Sequence, residues 1–115
     1  MNDKTKEKIT QLQNIEQNIN TIIGQKQQFQ AQSMEIDNAL SQVNETDKVF
    51  RIIGNVMVAS TQKKATEELK EKKEIVELRL KTMEKQEEKM REQAAVLQKD
   101  VLKDMDWGWK NVRPN

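Results

Sequence analysis

The side chains that carry most covalent chemistry are missing from this sequence. It contains no His, no Cys and no Tyr. That removes imidazole bases, thiol nucleophiles, phenolic acids, disulfides and the nitrogen and sulfur ligands that zinc prefers. Carboxylates and cations remain, 19 Asp and Glu against 20 Lys and Arg in 115 residues. Most fall in stretches rich in both signs, where they read as the solvated face of a helix. Lys26 and Glu87 differ, because each interrupts a stripe of apolar residues. The chemistry open to them is an ion pair with one another. No enzyme, metal or cofactor is expected. A net charge of +1 supplies no field to attract nucleic acid. What is left is the chemistry of apolar surface, and the question becomes which elements present it.

Hydrophobic residues make up 35% of the chain and aromatics 3%, too few for a globular core, while 3 Gly and 1 Pro rule out a turn-rich chain. Nearly balanced charge argues against disorder. The pattern instead predicts long helices with a thin apolar stripe. In the first, Leu12, Ile15, Ile19, Ile22, Lys26, Phe29, Ser33, Ile36, Leu40 and Val43 follow at intervals of three and four. In the second, Leu69, Lys73, Val76, Leu80, Met83, Glu87, Met90, Ala94, Leu97 and Val101 do the same. Both are heptad seams sustained beyond what a surface helix needs. The helices are predicted over about residues 5–46 and 66–105, with a tail over 106–115. Thr66, followed by Glu67 and Glu68, is the expected cap of the second. Glu68 to Lys72, Glu77 to Lys81 and Glu87 to Arg91 have the favourable order for pairing one turn apart.

Between the helices the period changes. Val49-Phe50-Arg51-Ile52-Ile53 and Val56-Met57-Val58-Ala59 flank Gly54-Asn55, which predicts a β-hairpin over about residues 48–60 with a type II′ turn. Such a hairpin is apolar on both faces and leaves both edges unpaired. A two-stranded hairpin is marginal in water, so this one is expected to pair with other hairpins. The predicted interface comprises Val49, Phe50, Ile52, Ile53, Gly54, Val56, Met57 and Val58.

A hairpin in mid-chain returns the second helix antiparallel to the first. Val43 then faces Leu69 and Leu12 faces Val101. For every pair between them the two residue numbers add to 112 or 113. The same register sets Lys26 opposite Glu87, where a paired seam charge fixes alignment. Some apolar residues fall off the seam. Met34, Ile75 and Leu78 lie towards the hairpin, and Ile9, Val96, Leu102 and Met105 gather at the other end, just before Trp107 and Trp109. Terminal turns fray, so Leu12, Ile15 and Val101 are expected to join that exposed set.

Helix, β-hairpin and helix at this length resemble the β class of prefoldin subunits, in its archaeal form. Val49 to Val58 looks like the family's hairpin with its glycine turn, and Leu78-Arg79-Leu80-Lys81-Thr82-Met83-Glu84-Lys85-Gln86-Glu87-Glu88 looks like the motif of its second helix. The resemblance covers nearly the whole chain and is best from Val49 to Met90; Asp106 to Asn115 matches no motif of the family. It implies a mainly α fold: an antiparallel two-helix coiled coil joined by a central β-hairpin that assembles into an oligomeric β-barrel hub. It implies a hexamer of two α-class and four β-class subunits. It also implies an ATP-independent co-chaperone that captures unfolded client proteins at the coiled-coil tips and passes them to a group II chaperonin. The client-binding residues would then be Ile9, Leu12, Ile15, Val101, Leu102 and Met105, with Trp107 and Trp109 added on position alone.

Two other classes share some of these features. A structural coiled-coil scaffold would have heptads and no catalytic groups, but no reason for an apolar hairpin. A membrane-surface binder could use Trp107, Trp109, Lys110 and Arg113, a patch too short and too weakly basic to hold well by itself. Residues 1–8 lack the apolar core of a signal peptide, and no stretch is long enough to span a bilayer. A cytoplasmic protein with no membrane partner is expected.

Overall fold

Asn2 starts the first helix. Its Oδ1 accepts a hydrogen bond from the Thr5 backbone N–H at 2.8 Å, and its carbonyl accepts one from Lys6 N–H at 3.1 Å, which satisfies donors that no earlier turn can reach. The computed structural model describes the backbone of residues 2–112 and the side chains of residues 2–105. In chain order the elements are α1 (Asp3–Glu45), β1 (Val49–Ile53), β2 (Val56–Ser60) and α2 (Gln62–Val112). Helix α2 therefore begins a turn earlier than expected. Thr61 caps it in place of Thr66: Lys64 N–H donates to Thr61 Oγ1 at 3.1 Å and Ala65 N–H to the Thr61 carbonyl at 2.9 Å. Thr66 sits three residues before Leu69, is half-buried and continues the seam. Helix α2 also runs on through Val112, into the segment expected to be a tail.

Contacts divide the chain into two units, one of Met1–Gln25 with Met83–Asn115 and one of Lys26–Thr82. In the first, the terminal unit, every seam position from Leu12 to Ile22 and from Met83 to Val101 is buried or half-buried. Ile19, Ile22 and Val101 are the most enclosed apolar side chains there, at 6–8% exposure. Burying each contributes roughly 1.5–3 kcal/mol. The two helical segments run antiparallel, since Ile15 and Leu97 line one groove while Lys8 reaches Asp104. Arg91 Nε lies 3.0 Å from Glu87 Oε2, the expected pair one turn apart.

The hairpin unit repeats the arrangement. Its seam positions from Lys26 to Val43 and from Leu69 to Leu80 are again buried or half-buried, with Val76 the most enclosed. Lys73 occupies a seam position but turns its ammonium sideways, 2.7 Å from Asp37 Oδ1 and 4.0 Å from Glu77 Oε1. The hydrogen bond and charge of Asp37 raise the Lys73 pKa above its ordinary value. Arg79 stands 5.6 Å from the centre of the Phe29 ring, a cation–π contact that covers the ring's edge of the seam. Two expected helix pairs give way to other partners: Glu77 pairs one turn back to Lys73, and Glu68 pairs with Arg51 across to the hairpin.

The strands pair antiparallel in the register Val49↔Ser60, Phe50↔Ala59, Arg51↔Val58, Ile52↔Met57 and Ile53↔Val56. Gly54 has φ of +60° and no other described residue has a positive φ. A positive φ at the first turn residue but not at the second is the type II′ pattern, and the first position suits glycine because it has no Cβ to clash.

Candidate functional site

The hairpin is the first place where apolar surface lacks cover. Alternation along the strands puts Phe50, Ile52, Met57 and Ala59 on one face and Val49, Arg51, Ile53, Val56, Val58 and Ser60 on the other. Phe50, Ile52, Ile53, Val56, Met57 and Val58 are 43–71% exposed, so neither face is covered by the chain itself. Val49 is half-buried beside Ala39 and Val43. Arg51 Nη1 bonds Glu68 Oε1 at 3.0 Å and ties the second face to the start of α2. Among the described residues the sheet has two strands only, which leaves an unpaired edge on each. Strand edges with unused N–H and C=O groups, flanked by β-branched side chains, form a template for further strands. This is association chemistry.

The terminal unit is the second such place, and the structure divides the residues expected there. Leu102 and Met105 are 62% and 49% exposed. Ile9, Leu12 and Ile15 are half-buried, and Val101 is buried at 8%. Ile9 follows Thr5 by one turn, Met105 follows Val101 by one turn and Leu102 follows Val101 directly. In an antiparallel pair these positions share one flank of the seam. Across the seam the opposite flank holds a groove lined by Ile15, Val96 and Leu97 with polar neighbours Gln11, Asn14 and Gln93. The side chains of Trp107 and Trp109 lie outside the described residues.

The frayed end expected beyond Leu12 and Val101 is closed in the structure. Thr5 is 3% exposed, and among the described residues it is the one buried polar side chain. Its hydroxyl lies 2.8 Å from Asn2 Oδ1 and 3.1 Å from Asp104 Oδ2, and shares its single proton between them. Lys8 Nζ donates to the same Asp104 oxygen at 3.1 Å. This hydrogen bond, aided by that from Thr5, holds the Asp104 carboxyl below its ordinary pKa. Thr5, Lys8 and Asp104 continue the three-and-four spacing for another turn. A search for apolar residues passes over them, and the signal that could have found them is the rhythm itself. No buried side-chain N or O lacks a partner among the described residues.

Among the described residues no group of three or more Asp or Glu is placed to hold a metal ion, and no helix is long and apolar enough to cross a membrane. A family model described as "Prefoldin subunit" matches residues 6–105. "Prefoldin subunit beta" of Pyrobaculum arsenaticum is 36% identical over 76% of this chain and 73% of that protein. Its counterpart in Archaeoglobus fulgidus is 35% identical over 81% of this chain and 83% of its own length. The crystal structure of the prefoldin beta subunit from Thermococcus strain KS-1 superposes with a TM-score of 0.82 at 29% identity, covering 99% of this chain and 96% of that one. The family model, the sequence identities and the shared fold agree, and the chain belongs to the prefoldin family, in the β class of its archaeal subunits.

Proposed function

We propose that this prefoldin-family co-chaperone holds unfolded polypeptides on the apolar flank of its terminal unit and assembles through its hairpin. The observation that carries the reading is the distribution of uncovered apolar side chains. Among the described residues six lie on a hairpin with open strand edges and three, Val96, Leu102 and Met105, in the terminal unit, with Met34, Ile75 and Leu78 on the helices of the hairpin unit; a plain scaffold needs no such exposure. The hairpin joins those of other subunits, α-class subunits among them, in a β-barrel hub, two α with four β. Ile9, Leu102 and Met105 are the residues that meet clients first, with Leu12, Ile15 and Val101 behind them and Trp107 and Trp109 as further contacts. Methionine suits a surface that must fit many sequences, being unbranched and polarizable. Each subunit binds weakly, and several on one hub bind well through effective concentration. Release is to a group II chaperonin without nucleotide hydrolysis, with the cytoplasm as the compartment.

Two measurements test this. Mixing the chain with an α-class prefoldin subunit should give a hexamer by light scattering. Deleting residues 1–10 together with 102–115 should leave that hexamer intact and abolish its suppression of aggregation of a denatured client. Full holding capacity after the double truncation would remove the helix ends from the mechanism and turn attention to Met34 and Leu78, which are 67% and 66% exposed.

A further inference from the structure

The polar cluster at the end of the seam has a geometry that the proposed capture of clients does not use. Asn2, Thr5, Lys8 and Asp104 join the first two turns of α1 to α2 by contacts 96 and 99 residues apart in sequence. Directly beneath them lies Val101, sealed at 8% exposure, with Leu12 half-buried. Lys8 and Asp104 are themselves about one-third exposed, at 32% and 34% of their side chains, so water competes for both. The contacts that seal the apolar turn are thus of a kind that opens readily. At its other end α2 begins at a cap next to the hairpin, where the Gln62 amide donates to the Thr46 carbonyl and Arg51 pairs with Glu68.

We propose that Asn2, Thr5, Lys8 and Asp104 form a latch that sets how much of the apolar seam a client can reach. With the latch closed, the surface on offer is Ile9, Leu102 and Met105. With it open, the first turns of α1 part from α2 around Asp104, and Val101 and Leu12 are added. A site competent in only a fraction of molecules binds with an apparent Kd raised by the inverse of that fraction. Weakening the latch enlarges the fraction and tightens holding, at the expense of order in the terminal turns. The cluster therefore acts against capture, and its strength tunes how firmly clients are kept.

This inference rests on the reading that clients meet the terminal unit, and the test separates the two. Asp104→Ala removes the shared acceptor and leaves Thr5 its bond to Asn2. Thr5→Val removes the hydroxyl while keeping its shape and burial. In the full chain, assembled with its α-class partner, either change should speed amide exchange in residues 3–12 and 97–104 by roughly three- to tenfold with exchange in residues 26–82 unchanged. The same variants should hold a denatured client at a several-fold lower subunit-to-client ratio. Faster exchange with unchanged or poorer holding would overturn the latch, and so would unchanged exchange. The control is Leu102→Ser with Met105→Ser, which leaves the latch in place and should weaken holding. If that variant holds clients normally, the client-site reading fails, whereas the exchange data still judge the latch by themselves.

Discussion

The hairpin and the helix ends both leave apolar side chains in water, but they do so in different ways. On the hairpin the exposed residues are mostly β-branched, fixed by a ladder of main-chain hydrogen bonds and by the turn at Gly54. Their geometry is set before any partner arrives, which favours one partner of matching geometry. In the terminal unit the uncovered residues include Leu102 and Met105, unbranched at Cβ, beside a seam closed by the buried Thr5 hydroxyl and by Lys8 and Asp104, each about one-third exposed. Such a surface adapts to its partner. Preorganised apolar surface suits permanent assembly, and adaptable apolar surface suits transient holding of many sequences.

The largest effect expected from breaking this contrast is at the hairpin. Ile52→Asp or Val58→Asp would put a charge into the surface proposed as the joint, where desolvation on assembly would cost several kcal/mol. The hexamer should dissociate, as light scattering would report, while helix content by circular dichroism stays near that of the parent. An unchanged assembly mass would mean that the hairpin is not the joint.

A smaller effect is expected where the register is at stake. The seam alignment read from the sequence pairs Lys26 with Glu87. Both residues are half-buried, and the Glu87 side chain is 17% exposed. Lys26→Glu and Glu87→Lys should each lower the melting temperature, and the double exchange should recover most of the loss. A coupling of about 1 kcal/mol or more in the double-mutant cycle is expected, and additive single effects would count against the pairing.

The smallest effect is one of pH, and it has opposite signs in the two units. Asp104 has its pKa lowered by folding, so its contribution is present above the ordinary carboxylate value and is lost as pH falls through the lower native one. Amide protection in residues 3–12 should therefore drop below about pH 4, ahead of that in residues 26–82. Lys73 has its pKa raised, so its contribution holds below the ordinary lysine value and is lost as pH rises through the higher native one. The terminal unit should loosen first in acid, and alkali should weaken the contact of Lys73 with Asp37. Simultaneous acid loosening of both units would show that Asp104 adds nothing local.

The seams, the hairpin and its turn type were legible in the sequence, because apolar periodicity and a glycine at the first turn position are local signals with few competing readings. Every seam residue from Leu12 to Val43 and from Leu69 to Val101 is buried or half-buried. What escaped was polar. Thr61 and Thr66 are equally good caps by residue type, and only the end of β2 at Ser60 decides for Thr61. Glu68 and Glu77 each had a cation one turn ahead, but Arg51 and Lys73 came closer. Thr5 and Asp104 took part in the seam through hydrogen bonds, which no hydropathy pattern registers. The exposure of Leu102 and Met105 was thus legible from their places off the seam, and the closure of the turn at Thr5 was not.

The two helices are also attached to the hairpin unequally. A single residue, Thr61, separates β2 from α2, and its side chain is spent on the cap; three residues, Thr46 to Lys48, separate α1 from β1. Torque from the sheet has no slack to absorb it on the α2 side, so that helix acts as a stiff leg. The slack lies on the α1 side, where the Gln62 side-chain amide holds the Thr46 carbonyl. The linker before β1 is thus longer than the one after β2, and its first residue is tied to the start of α2.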